Sequence, residues 1–234
     1  MRLVKSGLTE AEVKDKLIEF LGKYHKQIDP MLIEIMYQFL NNAFYDDEIP
    51  FMLYEFLSSQ GLTDKKVDIH NKMFDITKSY FGSLDDKKIT EVGAGLIPII
   101  SNKIVKNSNS TVTVFDPYLI KGFYRKKRLI YRKELFSSEK IDRQDLYIGL
   151  MPCEGTTEII KGVMRDKSDM VLAFCGCSHF DENELQFSDW YYDLGYLWRN
   201  RIIDEVDKFA TENKYQDFSI DDKSMPYPVL KLKR

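Results

Sequence analysis

Up to about residue 80 the apolar positions recur at helical spacing, and beyond it they gather into short runs with helical spacers between most of them. Thr9 and Glu12 form a capping box, and Leu8 with Val13 supplies the hydrophobic staple around it, which predicts a helix over residues 10–24. Asp29 as N-cap and Pro30 at the first helical position open a second helix, with Ile33, Met36, Tyr37 and Leu40 on one face. Pro50 opens a third that ends before Gly61. Asp64 opens a fourth that passes through Val67, Met73, Ile76 and Tyr80. Gly82 with Asp85 and Asp86 then marks the passage into a different pattern.

In that second pattern a short apolar run ends at Glu91, and Thr111-Val112-Thr113-Val114-Phe115 follows as a second strand. Leu129-Ile130-Tyr131 predicts a third strand, residues 145–150 a fourth and residues 170–175 a fifth. A βαβ series of this kind requires a parallel sheet. Two last strands, 217–220 and 229–232, are joined through Pro226-Tyr227-Pro228. The expected division is therefore a helical domain over 1–84 and an α/β domain over 85–234, without repeats or a low-complexity linker. The helical part is too apolar on its faces for a free tail; it is expected to cover a sheet edge or to meet another subunit, as in a homodimer.

Composition narrows the classes. With 234 residues and 44% hydrophobic content the chain can bury a large core and exceeds the usual single domain. A net charge of −3 gives no global attraction to nucleic acid or to an anionic membrane, so any such contact must be local. No apolar run approaches the roughly 18 residues of a membrane span, and Met1-Arg2-Leu3-Val4-Lys5 lacks the apolar core of a signal peptide. Three cysteines, an odd number, argue for a reducing cytoplasm over a disulfide framework.

The most informative stretch is Glu91-Val92-Gly93-Ala94-Gly95, a strand end and glycine turn followed by a helical pattern over 96–105. A strand feeding such a turn and then a helix aims backbone N–H groups and the positive helix end at a ligand. About 20 residues on, the second strand runs into Asp116, an acid placed to accept both hydroxyls of an adenosine ribose. In the dinucleotide fingerprint a third glycine or alanine stands where this chain has Pro98, and Glu91 would lie near the phosphates and repel them. These two residues speak against a nicotinamide-dependent oxidoreductase. A carboxylate at that place suits a cofactor with a cationic end.

The segment resembles motif I of the class I S-adenosylmethionine (SAM) dependent methyltransferases, in which an acid and a glycine loop receive the methionine part and an acid ending the second strand holds the ribose. Glu91, Gly93, Gly95 and Asp116 match residue by residue; the family's frequent third glycine is Ile97 here. The resemblance covers about residues 85–234 and implies an α/β, Rossmann-like sheet, mostly parallel with an antiparallel terminal hairpin, preceded here by a helical N-terminal domain. It implies SAM as cofactor, with Ala94, Pro117 and Met151 also among the cofactor-binding candidates. In the family an acid near the end of the third strand reads the adenine and an apolar neighbour stacks on it, which makes Glu134 and Leu135 candidates; Glu134 equally suits a surface partner for the nearby lysines and arginines.

The fourth strand's tip, Met151-Pro152-Cys153-Glu154-Gly155, lies where open α/β sheets bind ligands. It lacks the N-P-P-Y sequence that grips a planar amino group. Glu154 is the candidate catalytic base or acceptor-orienting residue, with a helix-entry role beside Thr156 and Thr157 as its alternative. Cys175-Gly176-Cys177-Ser178-His179 ends the fifth strand and could approach Cys153, but C-x-C-x-H is not an established zinc spacing, and packing of small residues is the simpler reading. His25 and His70 sit among charged helix residues and read as solvated. Residues 121–133 hold Lys121, Arg125, Lys126, Lys127, Arg128, Arg132 and Lys133 without an acid, interleaved with Phe123, Tyr124 and Tyr131; this is either a solvated face or a track for phosphates. The aromatics Phe187, Trp190, Tyr191, Tyr192, Tyr196 and Trp198 stand on an expected long helix leading to Lys208 and read mostly as core. The expected acceptor is a small molecule enclosed with the help of the helical extension. A nucleic-acid methyltransferase using the basic stripe, and a non-catalytic SAM-binding or assembly protein, stand as alternatives.

Overall fold

The computed structural model describes residues 8–22, 30–42, 69–122, 124–152, 155–174, 191–225 and 228–234. The chain divides into two units, Met1–Ile69 and His70–Arg234.

In the first unit α1 (Glu10–Gly22) and α2 (Pro30–Asn42) pack on one another, and their buried positions are Val13, Leu17 and Phe20 on α1 and Ile33, Met36 and Leu40 on α2. This is the i, i+3, i+4 stripe an amphipathic helix must bury. The capping box forms as its residue types dictate. Glu12 Oε2 accepts the Thr9 N–H at 2.7 Å and its hydroxyl at 2.8 Å, and the Glu12 N–H donates to Thr9 Oγ1 at 3.4 Å. The N–H bond from Thr9 is the main influence holding the Glu12 carboxyl below its ordinary pKa. Lys14 joins Glu10 one turn back and Glu34 on α2, both at 2.5 Å, and these bonds raise its ammonium to about 12. The third helix expected after Pro50 lies outside the described residues.

The second unit begins with α3 (Ile69–Phe81), which is tied to the sheet through its last turn. The Tyr80 hydroxyl donates to Asp217 O at 3.4 Å, and Lys231 Nζ stands 5.2 Å from the Tyr80 ring centroid. The sheet has seven strands, β1 (Lys88–Val92), β2 (Thr111–Phe115), β3 (Leu129–Arg132), β4 (Leu146–Leu150), β5 (Asp169–Ala173), β6 (Asp217–Asp221) and β7 (Val229–Lys233), in the order β3-β2-β1-β4-β5-β7-β6. The first five are parallel, and β7 runs antiparallel to both β5 and β6.

The hydrophobic pattern explains this order. β4 and β5 are buried along their whole length and β1 from Ile89 onward, as central parallel strands covered on both faces must be. β3 and β6 occupy the edges and alternate with exposed positions. Helices α4 (Ile99–Asn107), α5 (Gly155–Asp166) and α6 (Tyr191–Glu212) follow β1, β4 and β5 respectively. One core cluster joins Ile159, Ile160 and Val163 of α5 and Ile202, Val206 and Ala210 of α6 to Tyr147, Met170, Leu172, Leu230 and Leu232 of the sheet. Gly162 allows the close approach of α5, since a Cβ there would stand 2.8 Å from the Tyr147 ring.

Helix α4 starts three residues later than the apolar pattern suggests. Leu96 and Ile97 stay in a turn because Gly95 turns at φ +68° and Pro98, which has no N–H, takes the N-cap position. Between β2 and β3 the described residues form turns and not a helix. Among the described residues no helix is long and apolar enough to cross a membrane.

Candidate functional site

The strand order reverses between β1 and β4, so the crevice beyond the carboxyl ends of these strands is the topological switch point at which open α/β sheets bind ligands. Register places the tips of β1, β2 and β4 together: Val92 pairs with Phe115 on one side and with Gly149 on the other. The expected glycine loop, Asp116 and Met151-Pro152 therefore converge at one end of the sheet.

The loop is held by main-chain bonds. Gly93 N–H donates to Phe115 O at 3.0 Å and Ile120 N–H to Leu96 O at 3.0 Å. Gly93 and Gly95 both have positive φ, +73° and +68°, a region that L side chains rarely adopt. Their surroundings differ. A Cβ on Gly95 would meet nothing within 4 Å, whereas one on Gly93 would stand 2.6 Å from Pro152 Cα.

Asp116 belongs to this loop as much as to its own strand. Its Oδ2 accepts the Gly95 N–H at 2.9 Å and its Oδ1 the Tyr118 N–H at 2.8 Å, while its own N–H donates to Arg132 O at 3.2 Å. At 9% exposure burial pushes its carboxyl above the ordinary value, and the two N–H groups oppose that rise. Each carboxylate oxygen has two acceptor sites, so both keep capacity for a further donor.

Glu91 is more deeply placed, at 1% exposure. Its Oε2 accepts the Ser101 N–H at 3.0 Å and also the Ser101 hydroxyl. Burial pushes its carboxyl up to about 7, the bonds from Ser101 act against the rise, and the nearby Asp116 carboxylate adds to it. Ala94 is buried between the glycines and Pro117 is exposed beside Asp116.

At the tip of β4, Met151 is half-buried with φ +51° and donates its N–H to Ala173 O at 2.9 Å. Positive φ in a non-glycine residue just before a proline is an uncommon, strained geometry. Pro152 fills a nest of three glycines. A Cβ on Gly149 would stand 3.0 Å from Pro152 Cγ and one on Gly155 3.4 Å from Pro152 Cβ, in addition to the Gly93 contact. Glycine inside a strand marks such close approach, and the Gly149-x-x-Pro152-x-x-Gly155 spacing was the available signal for this nest.

Glu134 and Leu135 lie beyond the end of β3 and are exposed, Leu135 at 66%. Glu154 and Cys153 lie outside the described residues, as do Cys175, Cys177, His179, Phe187 and Trp190. In the basic stripe Lys121, Arg125, Lys126, Lys127, Arg132 and Lys133 are exposed, but Arg128 is engaged elsewhere: its guanidinium donates to the carbonyls of Val105, Ser108 and Ser110 and so caps the end of α4. Tyr131 is likewise engaged, accepting the Tyr124 N–H at 2.8 Å and donating to Tyr124 O at 3.1 Å.

No family model and no curated protein matches the chain. Solved structures do resemble it. Among them are two proteins described as "putative hemolysin", one from Streptococcus thermophilus (12% identity, TM-score 0.49, covering 73% of this chain and 69% of that one) and one from Lactococcus lactis (12%, 0.48, 74% and 90%). Magnesium protoporphyrin IX methyltransferase from Synechocystis PCC 6803, solved with S-adenosylhomocysteine bound, is 10% identical with TM-score 0.43, covering 79% of this chain and 99% of that one. The strand order itself shows the fold. A seven-stranded sheet ordered β3-β2-β1-β4-β5-β7-β6, with β7 alone reversed against its neighbours, is a Rossmann-like α/β sheet, mostly parallel with an antiparallel terminal hairpin, as the resemblance implied.

Proposed function

We propose that the chain is a SAM-dependent methyltransferase acting on a small-molecule acceptor. The observation that carries this reading is the junction of the glycine loop with the buried Asp116 carboxylate at the switch point of the sheet. The donor set suits an adenosyl cofactor. Asp116 has acceptor sites for a ribose diol, Gly93 and Gly95 present backbone without side chains, and no phosphate-binding cation is supplied by the loop, Glu91-Val92-Gly93-Ala94-Gly95. When bound, SAM supplies a methyl group on a sulfonium, which passes to an acceptor lone pair as the carbon–sulfur bond breaks.

In this reading Asp116 fixes the ribose, the loop from Gly93 through Ala94 to Gly95 sets how closely the backbone approaches, and Met151 borders the cofactor from β4. Pro117, Glu134 and Leu135 flank the adenine side. Methyl transfer asks little more of the protein than alignment of the acceptor and removal of its proton, the part assigned to Glu154. Replacing Asp116 with alanine is expected to weaken S-adenosylhomocysteine binding more than about tenfold, since charge-assisted hydrogen bonds contribute about 1.5–3 kcal/mol. Calorimetric titration of the variant checks this, and unchanged affinity would remove Asp116 from the site.

The acceptor class is open to a separate test through salt. Six exposed cations between Lys121 and Lys133 would give RNA binding that falls steeply from low to moderate salt, because phosphate contacts release counterions. A small acceptor shows little such dependence. The expected result is no submicromolar binding of single-stranded RNA or tRNA at physiological salt. Binding of that strength, lost when Arg125, Lys126 and Lys127 become glutamate, would make a nucleic acid the acceptor.

A further inference from the structure

The resemblance assigns the acid before the glycine loop to the cationic end of the cofactor, but the geometry gives Glu91 a different task. Helix α4 begins without a side-chain cap, since its N-cap residue Pro98 makes no side-chain hydrogen bond. The third helical residue, Ser101, carries the N–H that a capping side chain ordinarily satisfies. That N–H donates to Glu91 Oε2 at 3.0 Å, and the Ser101 hydroxyl donates to the same oxygen. The cap therefore comes from the neighbouring strand, ten residues earlier in the chain, and the contact bridges the two ends of the segment that contains Gly93, Ala94 and Gly95.

We infer that Glu91 is a positioning residue that clamps β1 to the start of α4 across the glycine loop, holding Gly95 where its N–H meets Asp116, and that it does not recognise the cofactor through its charge. The inference rests on the SAM reading of the site. Several observations agree with it. Glu91 is almost completely buried, and among the described residues its carboxylate is bonded by the Ser101 N–H and hydroxyl and forms no ion pair. The groups that face it are Ser101 from α4, the Asp116 carboxylate from the end of β2 and, at longer range, the Tyr131 hydroxyl from β3. Burial and the Asp116 carboxylate disfavour a negative charge on Glu91, while a neutral carboxyl or an amide keeps an oxygen that can accept from Ser101.

Glutamine at position 91 separates the two roles, because it preserves the acceptor oxygen and removes the charge. S-adenosylhomocysteine, which keeps the amino group, is the probe, titrated at pH 8 into the full chain. Glu91→Gln is expected to bind within about threefold of the parent, and Glu91→Ala to lose more than about tenfold. The Ser101→Ala variant, which keeps its N–H, is expected to fall between them. Loss of more than about tenfold in Glu91→Gln with unchanged thermal stability would overturn the inference and assign the carboxylate's charge to the cofactor. Should Glu91→Ala fail to fold, Ser101→Ala decides: affinity equal to the parent's overturns the clamp.

Two readouts need no ligand and so distinguish failure of the clamp from failure of the SAM reading. Amide hydrogen exchange of the Gly95 N–H is expected to quicken in Glu91→Ala and to stay protected in Glu91→Gln; equal protection in both would overturn the clamp. The second is the dependence of melting temperature on pH. A carboxyl whose folded pKa is raised from 4.5 to about 7 contributes stability below the lower value and loses it as pH rises through the upper one. The parent should therefore lose stability relative to Glu91→Gln between about pH 4.5 and 7 and level off above, and parallel profiles would contradict the buried clamp.

Discussion

Replacing Gly93 with valine is expected to destabilise the sheet domain by about 2–4 kcal/mol and to abolish SAM binding in whatever fraction still folds. Two independent costs meet at this position. The backbone is at φ +73°, where a β-branched side chain is strained, and its Cβ would stand 2.6 Å from Pro152 Cα, a backbone atom that cannot swing aside. Gly95 offers the internal comparison. It shares the positive φ but has open space around the Cβ direction, so Gly95→Ala is expected to cost only about 1 kcal/mol. Chemical denaturation of the three proteins checks both values. Equal costs at the two glycines would mean that β1 and β4 are not pinned together through Pro152.

The second large effect concerns the last residue of α5. Asp166, at the end of α5, is buried and accepts from the Tyr147 hydroxyl and the Gln144 N–H, both at 2.8 Å, and from Arg165 Nε at 2.6 Å. Arg165 continues to Ser138 O, and Ser138 N–H donates to Glu158 Oε2 at 2.9 Å, so one polar network ties α5 to the segment between β3 and β4. Asp166→Ala would leave the Tyr147 hydroxyl and the Gln144 N–H without this partner inside the core, at about 1–3 kcal/mol each, whereas half-exposed Arg165 can return to water. A loss of about 2–4 kcal/mol is expected, with Tyr147→Phe costing nearer 1. Burial acts to raise the Asp166 carboxyl, but the bonds from Arg165, Gln144 and Tyr147 outweigh it and hold the group below its ordinary value. Its contribution is then present at neutral pH and fades as pH falls below about 4, so the stability gap between parent and Asp166→Ala should narrow in acid.

The parts of this fold that were legible in the sequence are those where local pattern and global architecture impose the same demand. Residues 146–150 and 170–173 are continuous apolar runs because they lie in β4 and β5, covered on both faces. The capping box of α1 was legible for the same reason, since Thr9 and Glu12 satisfy only each other's turn. The glycine loop and Asp116 could be placed together because strand, turn and acid follow a spacing set by parallel strand geometry. What could not be read is what depends on a partner distant in sequence. Ser101 looks like an ordinary helix residue until β1 brings Glu91 against it, and Arg128 looks like one more cation of a basic stripe until β3 carries it to the carboxyl end of α4. The late start of α4 follows from Gly95 and Pro98 acting together, against an apolar periodicity that begins earlier at Leu96.

The central claim, an adenosyl cofactor held by the glycine loop and Asp116, is tested most directly by calorimetric titration of the purified chain with SAM, S-adenosylhomocysteine and NAD. Micromolar binding of SAM or its demethylated product, about −8 kcal/mol, with no measurable NAD binding is the expected result. Tight NAD binding with no heat from either sulfur compound would contradict it.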